Sequence, residues 1–228
     1  MANDLEKEAA ARASLRFVKD GQVVGLGTGS TATHFIKLLG NEVEKGLRIR
    51  GIPTSDRSRE LALSLGIPLI TLDDCQEIDV TVDGADEVDP QLRLIKGGGG
   101  ALLREKIVAS VSKKFVVLAD SSKQVPFLGK FPLPIEVIPF AETVLTQRIS
   151  ALGATVMLRK AQDGSAYKTD EGHHILDCHF GKIPDPGALA QTLSGMPGVV
   201  EHGLFIKLAS VVLLAKDNRV IELQPPGS

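Results

Sequence analysis

Three short segments of this chain set groups able to move protons beside glycine-rich backbone. Gly25-Leu-Gly27-Thr28-Gly29-Ser30-Thr31 follows an apolar strand and opens a helix, where backbone N–H groups and the positive helix end hold a phosphate. The dinucleotide pattern GxGxxG fits at Gly25 and Gly27 but meets Ser30 at its third glycine, and no Gly-Lys-Ser/Thr completes a P-loop. The hydroxyls of Thr28, Ser30 and Thr31 suit a small terminal phosphate instead. Capping of the helix by Thr28 or Ser30 is the equally weighted alternative.

Asp83-Gly84-Ala85-Asp86-Glu87 lies just past an expected strand ending at Val82. Asp-Gly is also a turn signal, and Asp83, Asp86, Glu87 and Asp89 together read as a solvated acidic loop; taken alone, these residues favour that plain reading. Such a loop repels phosphate, which puts a bound anion on the basic or helix-end side of a site. Lys96 supplies charge there, and Gly97-Gly98-Gly99-Gly100 turns tightly enough to bring a ligand against backbone amides. On the helix expected over 101–112, the bulky Leu103, Ile107, Val108 and Val111 share one side. Glu105 falls at its margin, with small Ala101 and Ala109 a turn away. That leaves room for a ligand beside Glu105. The plain alternative is an acid near a helix start, flanked by Arg104 and Lys106 as surface charges. Lys123 follows another strand end in Asp120-Ser-Ser-Lys123, where a lone lysine is ordinarily solvated.

His173, His174, Asp177, Cys178 and His179 invite a metal reading. On a strand His173, Asp177 and His179 share a face, but at ~3.3 Å per residue His173 stands roughly 13 Å from Asp177, too far for one ion. No metal is expected. Cys75 and Cys178 lie far apart without a CxxC and read as two unpaired buried thiols.

The elements that must position these groups alternate. Helix 5–18, strand 23–27, a helix through Leu39, strand 47–52, helix 55–65, strands at 67–72 and 79–83, then strand QLRLIK, the helix after GGGG and strand KFVVLAD predict an α/β fold. It is a Rossmann-like, mostly parallel sheet with helices on both faces, whose ligands sit at the carboxyl ends of the strands. Pro126, Pro132, Pro134 and Pro139 interrupt this rhythm and mark a domain boundary, since no central strand readily accepts them. Strand 135–138, helix 142–152, strands 155–158 and 174–180, helix 187–193 and strand 199–205 then read as βαββαβ, a smaller ferredoxin-like α+β domain. Strands 210–215 and 219–223, joined by Lys216-Asp217-Asn218, form a hairpin too small to stand alone. The expected division is 1–130 with 207–228 as the α/β catalytic domain, and 131–206 as the ferredoxin-like one.

Of the 228 residues, 43% are hydrophobic and 24% charged, as in ordinary globular chains. With 26 Lys+Arg against 28 Asp+Glu the formal charge is −2, so nucleic acid is not an expected partner. The N-terminus carries Asp4 and Glu6 and no apolar stretch, and the longest aliphatic run, 211–215, falls far short of the ~20 residues that span a bilayer. No membrane association is expected, and the cytoplasm is the expected compartment.

In this order and spacing, GLGTGST, TSD, VDGADEVD, LIKGGGGALLREKI, ADSSKQV, GKFPLPIEVIPF and PGVVEHGLF resemble ribose-5-phosphate isomerase of the A type. The resemblance covers nearly the whole chain, with the poorest match beyond Phe205. It implies interconversion of D-ribose 5-phosphate and D-ribulose 5-phosphate through an enediol, in the non-oxidative pentose phosphate pathway, without metal or cofactor. It implies Glu105 as the catalytic base, with Asp83, Asp86 and Lys96 handling the oxygen protons. Thr28, Gly29, Ser30, Thr31, Asp83, Gly84, Ala85, Asp86, Lys96, Gly97, Gly98, Gly99 and Lys123 would line the substrate site. A homodimer or homotetramer is implied as well. Two other classes stay open at this stage: a sugar-phosphate sensor, which would not require Glu105, Asp83 and Lys96 together, and a nucleotide- or coenzyme-A-dependent transferase on a similar scaffold.

Overall fold

The computed structural model describes residues 2–217 and 219–226. Asn218, the third residue of the expected hairpin turn, lies outside them. The first unit runs α1 (Ala2–Ser14), β1 (Val23–Leu26), α2 (Ser30–Glu44), β2 (Arg50–Pro53), α3 (Asp56–Ser64), β3 (Val80–Gly84), β4 (Glu87–Val88), β5 (Leu94–Ile95), α4 (Leu102–Ser110) and β6 (Phe115–Asp120). Then follow β7 (Leu133–Val137), α5 (Glu142–Ser150), β8 (Thr155–Leu158), β9 (His174–His179), α6 (Pro186–Ser194) and β10 (Val199–His202). The chain closes with β11 (Leu204–Phe205), β12 (Val211–Lys216) and β13 (Arg219–Leu223).

The main sheet has the order β13-β12-β6-β3-β1-β2, parallel throughout except for the β12–β13 hairpin. Alternate residues bury opposite faces, as the strand pleat requires. Val24, Leu26, Val82, Val116, Leu118 and Leu213 join Phe35 and Ile36 of α2 and Ala10 and Ala11 of α1. Val117, Ala119, Val212 and Leu214 pack on the other face with Ala109 of α4 and Phe205. The expected helices on both faces are therefore present.

The second sheet has the order β10-β7-β9-β8, antiparallel, which is the ferredoxin-like arrangement of a βαββαβ unit. Pro134 occupies one of its interior strands, against the sequence expectation. It is tolerated because the β10 ladder spans only residues 135–137 of β7, so Pro134 is never asked to donate to it; its carbonyl accepts from Gly203 N–H instead.

Three further expectations need correction. No strand forms over 67–72, where Pro68 lacks a donor and only Leu69 bridges to Gly51. The single strand expected at 199–205 splits at Gly203: β10 pairs with β7, while β11 pairs with β5. A small sheet β11-β5-β4, absent from the sequence reading, results. Finally, α4 turns differently from its aliphatic pattern. Leu102, Glu105, Val108 and Ala109 are buried, while Ile107 is 41% exposed, because the helix lies between β3 and the second sheet. Cys178 is buried and Cys75 only partly so; both are free thiols.

Candidate active site

The loops after β1, β3 and β5 and the turn after β6 converge at the carboxyl ends of neighbouring parallel strands, where open α/β sheets bind ligands. They enclose one pocket lined by Thr28, Gly29, Ser30 and Thr31, by Gly84, Ala85 and Asp86, by Lys96, Gly97, Gly98 and Gly99, and by Glu105 and Lys123. Asp83 lies directly beneath, 1% exposed. A roomier groove among Ile52, Leu72, Ile107 and Val108 is mostly aliphatic and gathers none of these proton-transfer groups.

Lys96 is the hub. Its Nζ stands 3.0 Å from Asp83 Oδ2 and 3.3 Å from Glu105 Oε2 and donates to the Gly84 carbonyl at 2.5 Å, with all three charged side chains at most 3% exposed. Its backbone is fixed by the split strand: Lys96 N–H donates to the Gly203 carbonyl, and a Cβ on Gly203 would lie 2.3 Å from Lys96 O. Asp83 has further partners, since its Oδ1 accepts from Thr28 N–H at 3.0 Å and Gly84 N–H at 2.7 Å. Gly27 is required beside it, because a Cβ there would meet Asp83 Oδ1 at 2.3 Å.

Burial raises the affinity of both Asp83 and Glu105 for a proton, and the Lys96 ammonium opposes this. Glu105 is pushed up to about 8, with Asp83 and Asp86 adding like-charge repulsion. Among the described residues it has no backbone donor to offset them, whereas Asp83 accepts two, so Asp83 is the better seat for the negative charge. Burial alone would strip the proton from Lys96, but Asp83 and Glu105 outweigh it and hold Lys96 charged above the ordinary lysine range. The arrangement thus offers a fixed cation beside a carboxyl whose proton affinity burial has raised.

Asp86 sits at the mouth, its Oδ2 accepting from Gly98 N–H at 2.7 Å. The acidic loop is no solvated run, contrary to the plain reading. Glu87 is 2% exposed and accepts from the Gly129 and Phe131 amides, and Asp89, equally buried, binds Arg93. Glu87 and Asp89 shape the loop; Asp83 and Asp86 face the pocket side.

On the opposite wall α2 begins at Ser30, Gly29 stands at its N-cap with φ 105°, and neither Thr28 nor Ser30 caps it with a side chain. Its first amides are left open to an anion. The Thr28 hydroxyl is turned away into a buried cluster with Thr54 at 2.7 Å, Ser55 at 2.8 Å and Ser58 at 3.1 Å, so Thr28 meets the pocket without offering that hydroxyl freely. Lys123, on a short 3-10 turn over Ser121–Lys123, reaches the same pocket and makes no ion pair among the described residues.

Arg104 and Lys106 are more than surface charges. Arg104 pairs with Asp56, Asp170 and Glu171, and Lys106, mostly buried, pairs with Glu201 at 2.7 Å. The imidazole of His202 beside it is pushed down to about 4 by burial and the Lys106 charge. The His-rich stretch does not converge: His173 binds Glu136, His174 binds Glu142, and Asp177 binds Arg159. Among the described residues no cluster of His, Cys, Asp and Glu is arranged to hold a metal ion. The sequence reading missed Ser55, Ser58 and Arg159. Only the Thr54-Ser55-Asp56 segment carried a signal, and for Ser55 alone; nothing local marks Ser58 or Arg159.

Residues 50–219 match the family profile of ribose 5-phosphate isomerase A (phosphoriboisomerase A). The chain belongs to that family. Ribose-5-phosphate isomerase A of Nitrobacter hamburgensis is 55% identical over 226 residues, covering 96% of this chain and 97% of its own. The protein of that name from Rhodopseudomonas palustris (strain HaA2) is 56% identical, over 93% of this chain and 94% of its own. Among solved structures, a D-ribose-5-phosphate isomerase in complex with phospho-erythronic acid is 42% identical with a TM-score of 0.95, covering 98% of this chain and all of the other. Ribose 5-phosphate isomerase A from Methanocaldococcus jannaschii is 44% identical with a TM-score of 0.93, over 97% of this chain and 99% of its own.

Proposed function

We propose that the chain interconverts D-ribose 5-phosphate and D-ribulose 5-phosphate through an enediol, with Glu105 moving the carbon-bound proton. The observation that carries this reading is one carboxyl, pushed up to about 8, lining the pocket 3.3 Å from a buried ammonium. Aldose–ketose isomerisation needs such a pair. A base takes the C2 proton of the open-chain aldose and returns it to C1, while O2 gives up a proton and O1 gains one. Ionised Glu105 suits the carbon proton. Lys96 and Asp83 suit the stabilisation of charge on the enediolate oxygens, and Asp86 at the mouth suits their proton exchange and ring opening.

The α2 amides beside Gly29, Ser30 and Thr31, together with Lys123, suit the 5-phosphate, leaving the acidic side for the sugar end. Gly84, Ala85 and the Gly97-Gly98-Gly99 backbone suit the sugar between them. A phospho-erythronic acid, bound by the solved relative, carries a phosphate at one end and a planar carboxylate at the other. Those two oxygens resemble the charge of an enediolate, and the same acid is expected to compete with substrate here.

For the division into a catalytic unit of 1–130 with 207–228 and a ferredoxin-like unit of 131–206, the support is that the six-stranded sheet draws its strands from the first and the four-stranded sheet from the second; β11, at 204–205, pairs instead with β5 of the first. A homodimer or homotetramer fits the exposed apolar side chains, Phe140 at 98% among them, and light scattering tests it. A cytoplasmic site of action fits the family. Among the described residues no helix is long and apolar enough to cross a membrane.

The deciding experiment is a direct assay with ribose 5-phosphate in the presence of a chelator. Formation of ribulose 5-phosphate supports the reading; tight binding of a nucleotide or acyl-CoA without isomerisation overturns it.

A further inference from the structure

Between β8 and β9 the chain makes a long excursion, residues 159–173, that reaches across to the glycine loop of the first unit. Asp170 accepts from the Asp56 amide at 2.9 Å, Glu171 binds Arg104 at 2.6 Å, and a Cβ on Gly100 would strike Tyr167 Oη at 2.2 Å. Arg159 stands at the root of this strap. Its Nη1 donates to the Gly97 carbonyl at 2.9 Å and, less closely, to the Gly98 carbonyl at 3.3 Å. Nε and Nη2 of the same guanidinium grip Asp177 on β9 at 2.9 and 2.5 Å, a two-pronged pair that fixes its plane.

We propose that Arg159 is a positioning residue for the reaction, acting through the Gly97–Gly98 peptide on Asp86. A planar trans peptide points its C=O and N–H in opposite directions, so holding one fixes the other. With Gly97 O drawn toward Arg159, Gly98 N–H is directed to the far side. That is where it meets Asp86 Oδ2 at 2.7 Å. The peptide needs this outside hold because Gly97 adopts φ 103° in a run of four glycines, the residues that lose most freedom on being ordered. There is also no slack on the near side, since a Cβ on Gly98 would lie 2.7 Å from Asp86 Oδ1. Asp177 is the group that orients Arg159, so a strand of the second sheet sets the angle of a carboxylate at the mouth of the pocket.

The proposal rests on the reading that Asp86 takes part in the isomerisation, and a double-mutant cycle separates the two. Arg159→Met, Asp86→Asn and the double variant are assayed with ribose 5-phosphate, alongside melting temperatures. Arg159→Met is expected to lower kcat by about 10-fold or more, with KM changed much less, because a carboxylate displaced by an ångström reacts poorly. Arg159→Lys, which can still reach Gly97 O but not clamp Asp177, is expected to fall between the two. In the Asp86→Asn background the Arg159 change should add less than about 2-fold, since the route it acts through is already cut. An equal loss in both backgrounds would mean plain scaffolding and overturn the proposal, as would unchanged kcat in Arg159→Met while Asp86→Asn is impaired. Wild-type activity in Asp86→Asn would instead overturn the reading of Asp86, and the route with it. Should Arg159→Met fail to fold, Asp177→Asn carries the same cycle. A kcat equal to wild type there also refutes the role.

Discussion

Lys96 Nζ and Glu105 Oε2 face each other at 3.3 Å in the wall of the pocket, yet the carboxyl is no ordinary ion-pair partner. The ammonium is shared with Asp83, which stands closer at 3.0 Å and accepts two backbone amides besides. One cation thus serves two buried acids, and Glu105 is the one left short of compensation. This leaves a carboxyl of raised proton affinity next to a fixed positive charge.

The pH dependence of turnover follows directly. With Glu105 pushed up to about 8, kcat/KM should climb as pH rises from 6 and level off only above about 8, because the free enzyme must ionise Glu105 to act. Initial-rate profiles across that range test it. A plateau already reached at pH 6, as for a carboxyl of ordinary acidity, would refute the assignment.

Replacing Glu105 by Gln keeps the size of the side chain but removes its proton-accepting ability. Turnover should fall by roughly 10²–10⁴ or more. Stability should move the other way with pH. A carboxyl raised in the folded state holds a proton that the unfolded chain releases, so wild type loses stability as pH climbs from the unfolded carboxylate value to about 8. The melting temperature of Glu105→Gln relative to wild type should therefore be higher at pH 8.5 than at pH 5.5. A variant of wild-type activity sinks the catalytic role.

Phosphate recognition at the start of α2 predicts that unphosphorylated ribose is a very poor substrate and that inorganic phosphate inhibits competitively and weakly. Steady-state rates on the two sugars make the comparison. Equal kcat/KM values would remove the phosphate from the site.

The enediol route predicts exchange. A proton resting on a carboxylate can trade with water before it returns, whereas a hydride passed between carbons cannot. Reaction in D₂O should place some deuterium at C1 of ribulose 5-phosphate or C2 of ribose 5-phosphate, read by NMR, and EDTA should leave the rate unchanged. Activity abolished by EDTA and restored by a divalent ion would establish metal-assisted chemistry instead.

The sequence by itself determined the alternation of strands and helices and the βαββαβ order after residue 131, because periodicities of 2 and 3.6 are written in local residue order. It also marked the loops that line the pocket, since glycine runs and acids directly after apolar strands fall at the sheet's ligand edge. Only the tertiary structure decided which acids of 83–89 turn inward. Glu87 is held away from the pocket by the Gly129 and Phe131 amides, 42 and 44 residues on, and Asp89 by Arg93, whereas Asp83 and Asp86 stand beside Lys96 and Gly98 of the pocket. The same holds for the buried face of α4, where the second sheet covers the Glu105 side and leaves Ile107 exposed, a choice no helical pattern contains. Arg159 is the clearest case: its partners Gly97 and Asp177 are 62 and 18 residues away, and contacts at such separations leave no local trace in the order of residues.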